Sequence, residues 1–233
     1  MENITVYELK IKIYLLENLK LEDVGMELSS LVDKSFLASE KYKEVHKNRG
    51  YKHYSVGGLL PVERNRIFKE GSIYEFQVRT PSKELKNYFK KNLVNEFNKK
   101  IKVLVINEKI IPENFFEKIY SLTPVVAKFN EGYWKNKVSF EKYEERIKNN
   151  LIKKYNDFTG KKLDEDFQLY ERIELNNEYP IPLKYKEIKL LGDKITLYIG
   201  NSEQAQKLAY FAIGVGLLEM NPRMCGFVGY KYI

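Results

Sequence analysis

The chain contains two histidines, His46 and His53, and both fall within one stretch, "YKEVHKNRGYKHYS", residues 42–55. Imidazole is the side chain whose ordinary titration lies nearest neutral pH, so the neutral-pH proton chemistry of the whole protein is gathered here. Lys47, Arg49 and Lys52 surround the pair. Neighbouring cations disfavour a second positive charge, which keeps an imidazole neutral and able to act as a base. Tyr42 precedes His46 by four residues and shares its helix face if the helix persists. Metal ligation is poorly supported, because neither cysteine nor a dense carboxylate cluster joins the histidines, and no cofactor motif is present. Two exposed histidines in a basic connector would give the same pattern, and spacing alone leaves both readings open.

A second candidate lies at the other end of the sequence. Of thirteen glycines, Gly214, Gly216, Gly226 and Gly229 fall within sixteen residues of "GVGLLEMNPRMCGFVG". The dinucleotide fingerprint is excluded: the third glycine is missing, and the motif follows a helix instead of joining a first strand to one. No Gly-Lys-Ser/Thr occurs, which excludes a Walker-type phosphate loop. Two readings remain. The glycines either end a helix and turn the chain, or expose backbone N–H groups to phosphates, with Asn221 and Arg223 as side-chain donors.

Composition bounds the partners. With 40 basic and 32 acidic residues the chain carries +8, and 21 basic against 15 acidic residues lie within residues 1–110. An anionic partner such as nucleic acid fits that surplus. Hydrophobic content of 43% supplies a core, which argues against disorder. Cys225 is the single cysteine, so no intrachain disulfide can form and a reducing cytoplasm is the expected location. No apolar run reaches membrane-spanning length, and neither a signal peptide nor a membrane partner is expected. Lysine runs such as "NYFKKN", "FNKKIK" and "LIKKY" read as solvated surface.

These residues need elements to hold them. "ITVYELKIKIYLL" reads as a strand, Val24 to Phe36 as the apolar stripe of a helix over about 22–45, and "KHYSVGGLLP" and "SIYEFQVRT" as strands. "PSKELKNYFKKNLVNEF" opens with a capping serine and gives a second helix; "KIKVLVINEKII" gives a closing strand. The order is β-α-β-β-α-β, the ferredoxin-like unit. After "PENFFEK" the order repeats. A strand interrupted by Pro124 comes first, then a helix capped by Ser139, then "FQLYERIEL", "PLKYKEIKLL" and "KITLYIG" as short strands. A helix capped by Ser202 and the strand "GFVGYKYI" complete the copy. The expected fold class is α+β, two tandem ferredoxin-like (RRM-like) domains over residues 1–112 and 118–233.

In this frame, the histidine followed by "YKHYSVGGLLP", the "SLTPVVAKF" stretch and the terminal glycine loop resemble the sixth CRISPR-associated family, endoribonucleases that cut repeat RNA into guide units. The loop departs from the usual form, with Val228 where a glycine is common. The resemblance implies metal-independent cleavage in which a 2′-hydroxyl attacks its adjacent phosphate, leaving a 2′,3′-cyclic phosphate and a 5′-hydroxyl. It implies His46 as catalytic base or acid, Lys52 as the cation against the developing charge and Tyr42 as third member, with His53 the rival histidine. Gly214, Gly216, Asn221, Arg223, Gly226 and Gly229 would face CRISPR repeat RNA. A multi-subunit effector complex and a homodimer are further partners compatible with it. A non-cleaving guide-binding subunit is the alternative function, and a protein-binding scaffold of the same fold a blander one.

Overall fold

The computed structural model describes residues 3–47 and 50–233, the side chains of residues 45–47 excepted. Its first half runs β1 (Val6–Leu15), β2 (Leu19–Lys20), α1 (Leu21–Ser35), α2 (Glu40–Lys47), β3 (Ser55–Val56), β4 (Ile67–Phe68), β5 (Ile73–Thr80), α3 (Lys83–Asn92) and β6 (Ile101–Ile111). The main sheet has the order β3-β5-β1-β6, with every neighbour antiparallel. Alternation in β1 buries Leu9, Ile11, Ile13 and Leu15 against the stripe Val24, Leu28, Leu31 and Val32 of α1, as the two periodicities require. Ser82 caps α3, its hydroxyl accepting the Leu85 amide at 3.1 Å.

The second half runs β7 (Phe116–Ser121), α4 (Phe140–Thr159), β8 (Tyr170–Leu175), β9 (Ile181–Tyr185), β10 (Ile188–Gly192), β11 (Ile195–Ile199), α5 (Glu203–Val215) and β12 (Val228–Tyr232). The sheet order β12-β7-β11-β8 repeats that of the first half strand for strand, with β9 and β10 inserted as a separate hairpin. Ser139 and Ser202 cap α4 and α5 with their hydroxyls. Two tandem ferredoxin-like units are therefore present. Among the described residues no helix is long and apolar enough to cross a membrane.

Three expectations about the elements change. The single helix over 22–45 is broken: a 3-10 turn at Phe36–Ala38 and extended Ser39 (φ −148°, ψ 129°) separate α1 from α2. Phe36 is buried at that break against Tyr54, Tyr88 and Phe89, and this burial redirects the chain. The strand "KHYSVGGLLP" is regular only at Ser55–Val56 and returns to β5 in a single bridge, Leu60 opposite Glu75. Gly57 then packs under the Phe227 ring, where a Cβ would be held to 3.1 Å. The stretch "PENFFEK" is not all linker, since β7 begins at Phe116.

The halves are joined along a polar seam. The Tyr210 hydroxyl of α5 accepts the Val6 amide at 3.0 Å and donates to the Ile111 carbonyl at 2.6 Å, linking the first and last strands of the N-terminal sheet. Arg79 of β5, which is buried, donates to Glu8 and to the Val228 carbonyl of β12, both at 2.6 Å, and its guanidinium lies 4.3 Å from the Phe227 ring centroid. The Ser55 hydroxyl donates to the Gly214 carbonyl at 3.1 Å.

Candidate RNA-processing site at the seam

Residues 51–54 lead to β3 of the first half along the seam with the second. Burial pushes the Lys52 amine below its ordinary range and the nearby Arg223 guanidinium pushes it the same way, while Asp33 opposes both. Arg223 donates to Asp33 of α1. Lys52 and Arg223, 171 residues apart in sequence, therefore sit in one electrostatic neighbourhood together with Asp33. His53 points to the second half: Nε2 lies 3.0 Å from Asp157 Oδ2, too poorly aligned for a hydrogen bond, and the ring meets Phe158 edge-on at 5.2 Å. Burial lowers its pKa, with Asp157 acting against that shift. Tyr54 is buried in the first core.

His46 belongs to α2, and its side chain lies outside the described residues. Tyr42 of the same helix is turned to α3, its ring 3.8 Å from that of Tyr88 and 6.1 Å from that of Phe36. Burial raises its pKa, with Glu84 adding to the shift. Lys52 and Tyr42 thus have different surroundings, and the cation beside Lys52 is Arg223.

The glycine loop is knit to itself. The Gly216 amide donates to Ala212 O, the Leu217 amide to Gly226 O, and the Gly226 amide to Pro124 O. Asn221 is 4% exposed; its Nδ2 donates to the Leu217 and Cys225 carbonyls. The expectation of free N–H groups at Gly216 and Gly226 and of an exposed Asn221 donor is corrected accordingly, because intramolecular partners already consume them. Gly216 (φ +76°) and Gly226 (φ +64°) take backbone conformations that L side chains rarely adopt, and a Cβ at Gly226 would collide with the Leu217 carbonyl. Gly214 and Gly229 are close-packing positions, against Pro81 and the Tyr120 ring. Arg223 alone of these residues carries a charge to the seam.

The residue that organises the loop is Lys154 of α4, which sequence reading assigned to a solvated lysine run. It is 4% exposed, and its amine donates to Gly216 O (3.0 Å), Leu218 O (2.6 Å) and Asn221 Oδ1 (2.7 Å). Burial pushes its pKa down to about 7, against the pull of Glu219. A signal was available: Lys154 follows the buried Ile147 by seven residues and Asn150 by four, in phase with the helix stripe.

Beside the seam opens a cleft of about 1190 Å³ between α1 and the β9–β10 hairpin. Gly25 and Ser29 line one wall, Leu183 and Tyr185 the other, and Met224 and Phe227 also line it. Lys20, Arg66, Lys184, Lys186 and Lys194 also reach it. Lys184 bridges it by donating to Asp23 at 2.8 Å.

Comparison with known proteins gives this arrangement a class. The solved structure of a CRISPR-associated Cas6 protein matches with TM-score 0.70 at 20% identity, covering 97% of this chain and 99% of that one. A RAMP protein described as binding different RNA substrates matches at TM-score 0.72 and 17% identity, over 97% and 99%. The product of a Cas6-related gene from Pyrococcus furiosus matches at 0.72 and 19%, over 97% and 98%. The fold is that shared by Cas6 and RAMP proteins. Residues 106–221 match the model of the C-terminal region of CRISPR-associated protein Cas6. The chain belongs to the Cas6 family. No curated protein sequence matches it.

Proposed function

We propose that this protein is an endoribonuclease that processes CRISPR repeat RNA, working by transesterification within the RNA. The observation that carries the reading is the meeting of Lys52 and Arg223 at the seam, a few residues along the chain from His46. Two cations that share a site, with the pKa of one depressed by burial and then by the other, are suited to an anion of high charge. A pentacoordinate phosphorane is such an anion. His46 accepts the proton of the 2′-hydroxyl, whose oxygen attacks the neighbouring phosphorus. The P–O5′ bond breaks, the departing 5′-oxygen takes up a proton, and a 2′,3′-cyclic phosphate remains. Lys52 and Arg223 stabilise the phosphorane, and Tyr42 anchors α2 through its ring stack. RNA on either side of the cut lies along the basic cleft. The loop 214–229 supports it as shape plus one guanidinium, and not as a row of amides.

The test uses end-labelled cognate repeat RNA in EDTA. A single cut with a 2′,3′-cyclic phosphate on the 5′ fragment is expected, and His46→Ala and Lys52→Ala each abolish it. Tight binding without any product overturns the nuclease assignment in favour of a guide-holding subunit. Loss of cutting in EDTA overturns the metal-independent chemistry.

A further inference from the structure

We infer that His53 is a positioning residue: by docking its ring on α4 it sets the place of Lys52, and it exchanges no proton with the RNA. The inference rests on the ribonuclease reading above and adds a role for a residue that the reaction does not use.

Three consecutive side chains diverge at this point. Lys52 goes to the Arg223–Asp33 neighbourhood, His53 to α4, and Tyr54 to the first core, where it meets Phe36 and Phe89. The divergence needs an unusual backbone, and His53 supplies it with φ +49°. A non-glycine residue in that region is strained and persists only when its surroundings hold it. Here they hold it at both ends. The Thr80 hydroxyl donates to the His53 carbonyl at 2.7 Å. The ring lies against Phe158, with Nε2 3.0 Å from Asp157 Oδ2. Protein groups of the second half thus engage the imidazole, and it is not offered to a substrate hydroxyl. Lys52 is one peptide bond from this double pin, so its reach across the seam is fixed by how His53 docks. The same turn of α4 holds the glycine loop through the Lys154 amine, which places the Arg223 loop and the Lys52 strap on one platform.

The experiment compares His53→Ala, His53→Asn and Asp157→Asn in single-turnover cleavage of repeat RNA, with Kd and the pH–rate profile measured alongside. In each protein the Lys52 titration is followed by NMR of ¹³C-methylated lysines. His53→Ala is expected to slow cleavage about 10- to 100-fold, the cost of a small misplacement of a charge-stabilising group. Kd and the shape of the pH profile stay as in the parent, and the Lys52 titration moves upward toward the ordinary lysine range. Asparagine tolerates positive φ and keeps a donor, so His53→Asn restores much of the rate. Asp157→Asn, at a half-exposed carboxylate, gives a smaller loss in the same direction and serves if the alanine variant does not fold. Parental cleavage by His53→Ala overturns the inference. Equal inactivity of both His53 variants together with loss of one limb of the pH profile also overturns it, since His53 is then a proton carrier. An inert parent protein overturns the ribonuclease reading only. The Lys52 titration then decides the positioning role by itself, and an unmoved titration in His53→Ala rejects it.

Discussion

The strap 51–54 and the loop 214–229 meet at the same seam and are built in opposite ways. The loop satisfies its own polar groups: amides pair with carbonyls, Asn221 is buried, and Lys154 fills three remaining acceptors. The strap has one core residue, Tyr54, and is otherwise held by a hydroxyl, a ring contact and a carboxylate. Cost follows from that difference. Damage to the loop's glycines or to Lys154 is expected to be a folding defect, whereas under the proposed function damage to the strap is a chemical defect in a folded protein. The glycines that make the loop conspicuous in the sequence are there for shape, and the proposed chemistry falls to the plainer segment.

Substitutions can break or sharpen that contrast. The largest effect is expected from Gly226→Val, which combines a strained φ with a collision at Leu217 O and costs at least about 3 kcal/mol. Urea denaturation measures it, and RNA binding should fall with the folded fraction. Lys154→Met comes next, because three loop acceptors lose their donor, at a cost of about 2–4 kcal/mol. Its pH signature is distinctive. Lys154 titrates at about 7 when folded and near 10.4 when unfolded. Between those values the unfolded chain binds the extra proton, so this group makes wild-type stability rise with pH from about 7 upward. Lys154→Met should flatten that rise in unfolding free energies measured over about pH 7.5–9.5.

Two side chains outside the strap, Arg223 of the loop and Tyr42 of α2, give smaller stability effects. Arg223→Ala should keep the fold to within about 1 kcal/mol, slow cleavage, and reduce the salt dependence of RNA affinity by about one unit of slope. Removing its charge should also raise the Lys52 titration. Tyr42→Phe, which keeps the ring stack, should leave cleavage unchanged in the end-labelled assay. A strong loss there would return the Tyr42 hydroxyl to the chemistry.

Much of the fold was legible in the residues. Ser82, Ser139 and Ser202 announced three helices because an N-cap is a local device with a local signature. The repeated βαββαβ order followed from periodicities that the strands and helices kept. The break at Phe36–Ser39 was not legible, since it depends on where Phe36 finds Tyr88 and Phe89, some fifty residues onward. The neighbourhood of Lys52 with Arg223 is likewise a product of the seam. Lys154 was hidden by its composition, a lysine in a lysine run, although its helical phase put it among buried residues. Asn221 misled for the converse reason, as a polar residue amid glycines that looks exposed and is buried.

The seam has a mechanical consequence. Tyr210 clasps the ends of β1 and β6 from the other half, while Arg79 reaches from β5 to the carbonyl of Val228. Only residues 112–115 separate β6 from β7. Joined at these points, the halves are expected to unfold together. The chain's one tryptophan, Trp134, is stacked on Tyr143 deep in the second half, so its fluorescence reports on that half alone. Its unfolding curve should superimpose on that of the far-ultraviolet circular dichroism of the whole chain, as one cooperative transition.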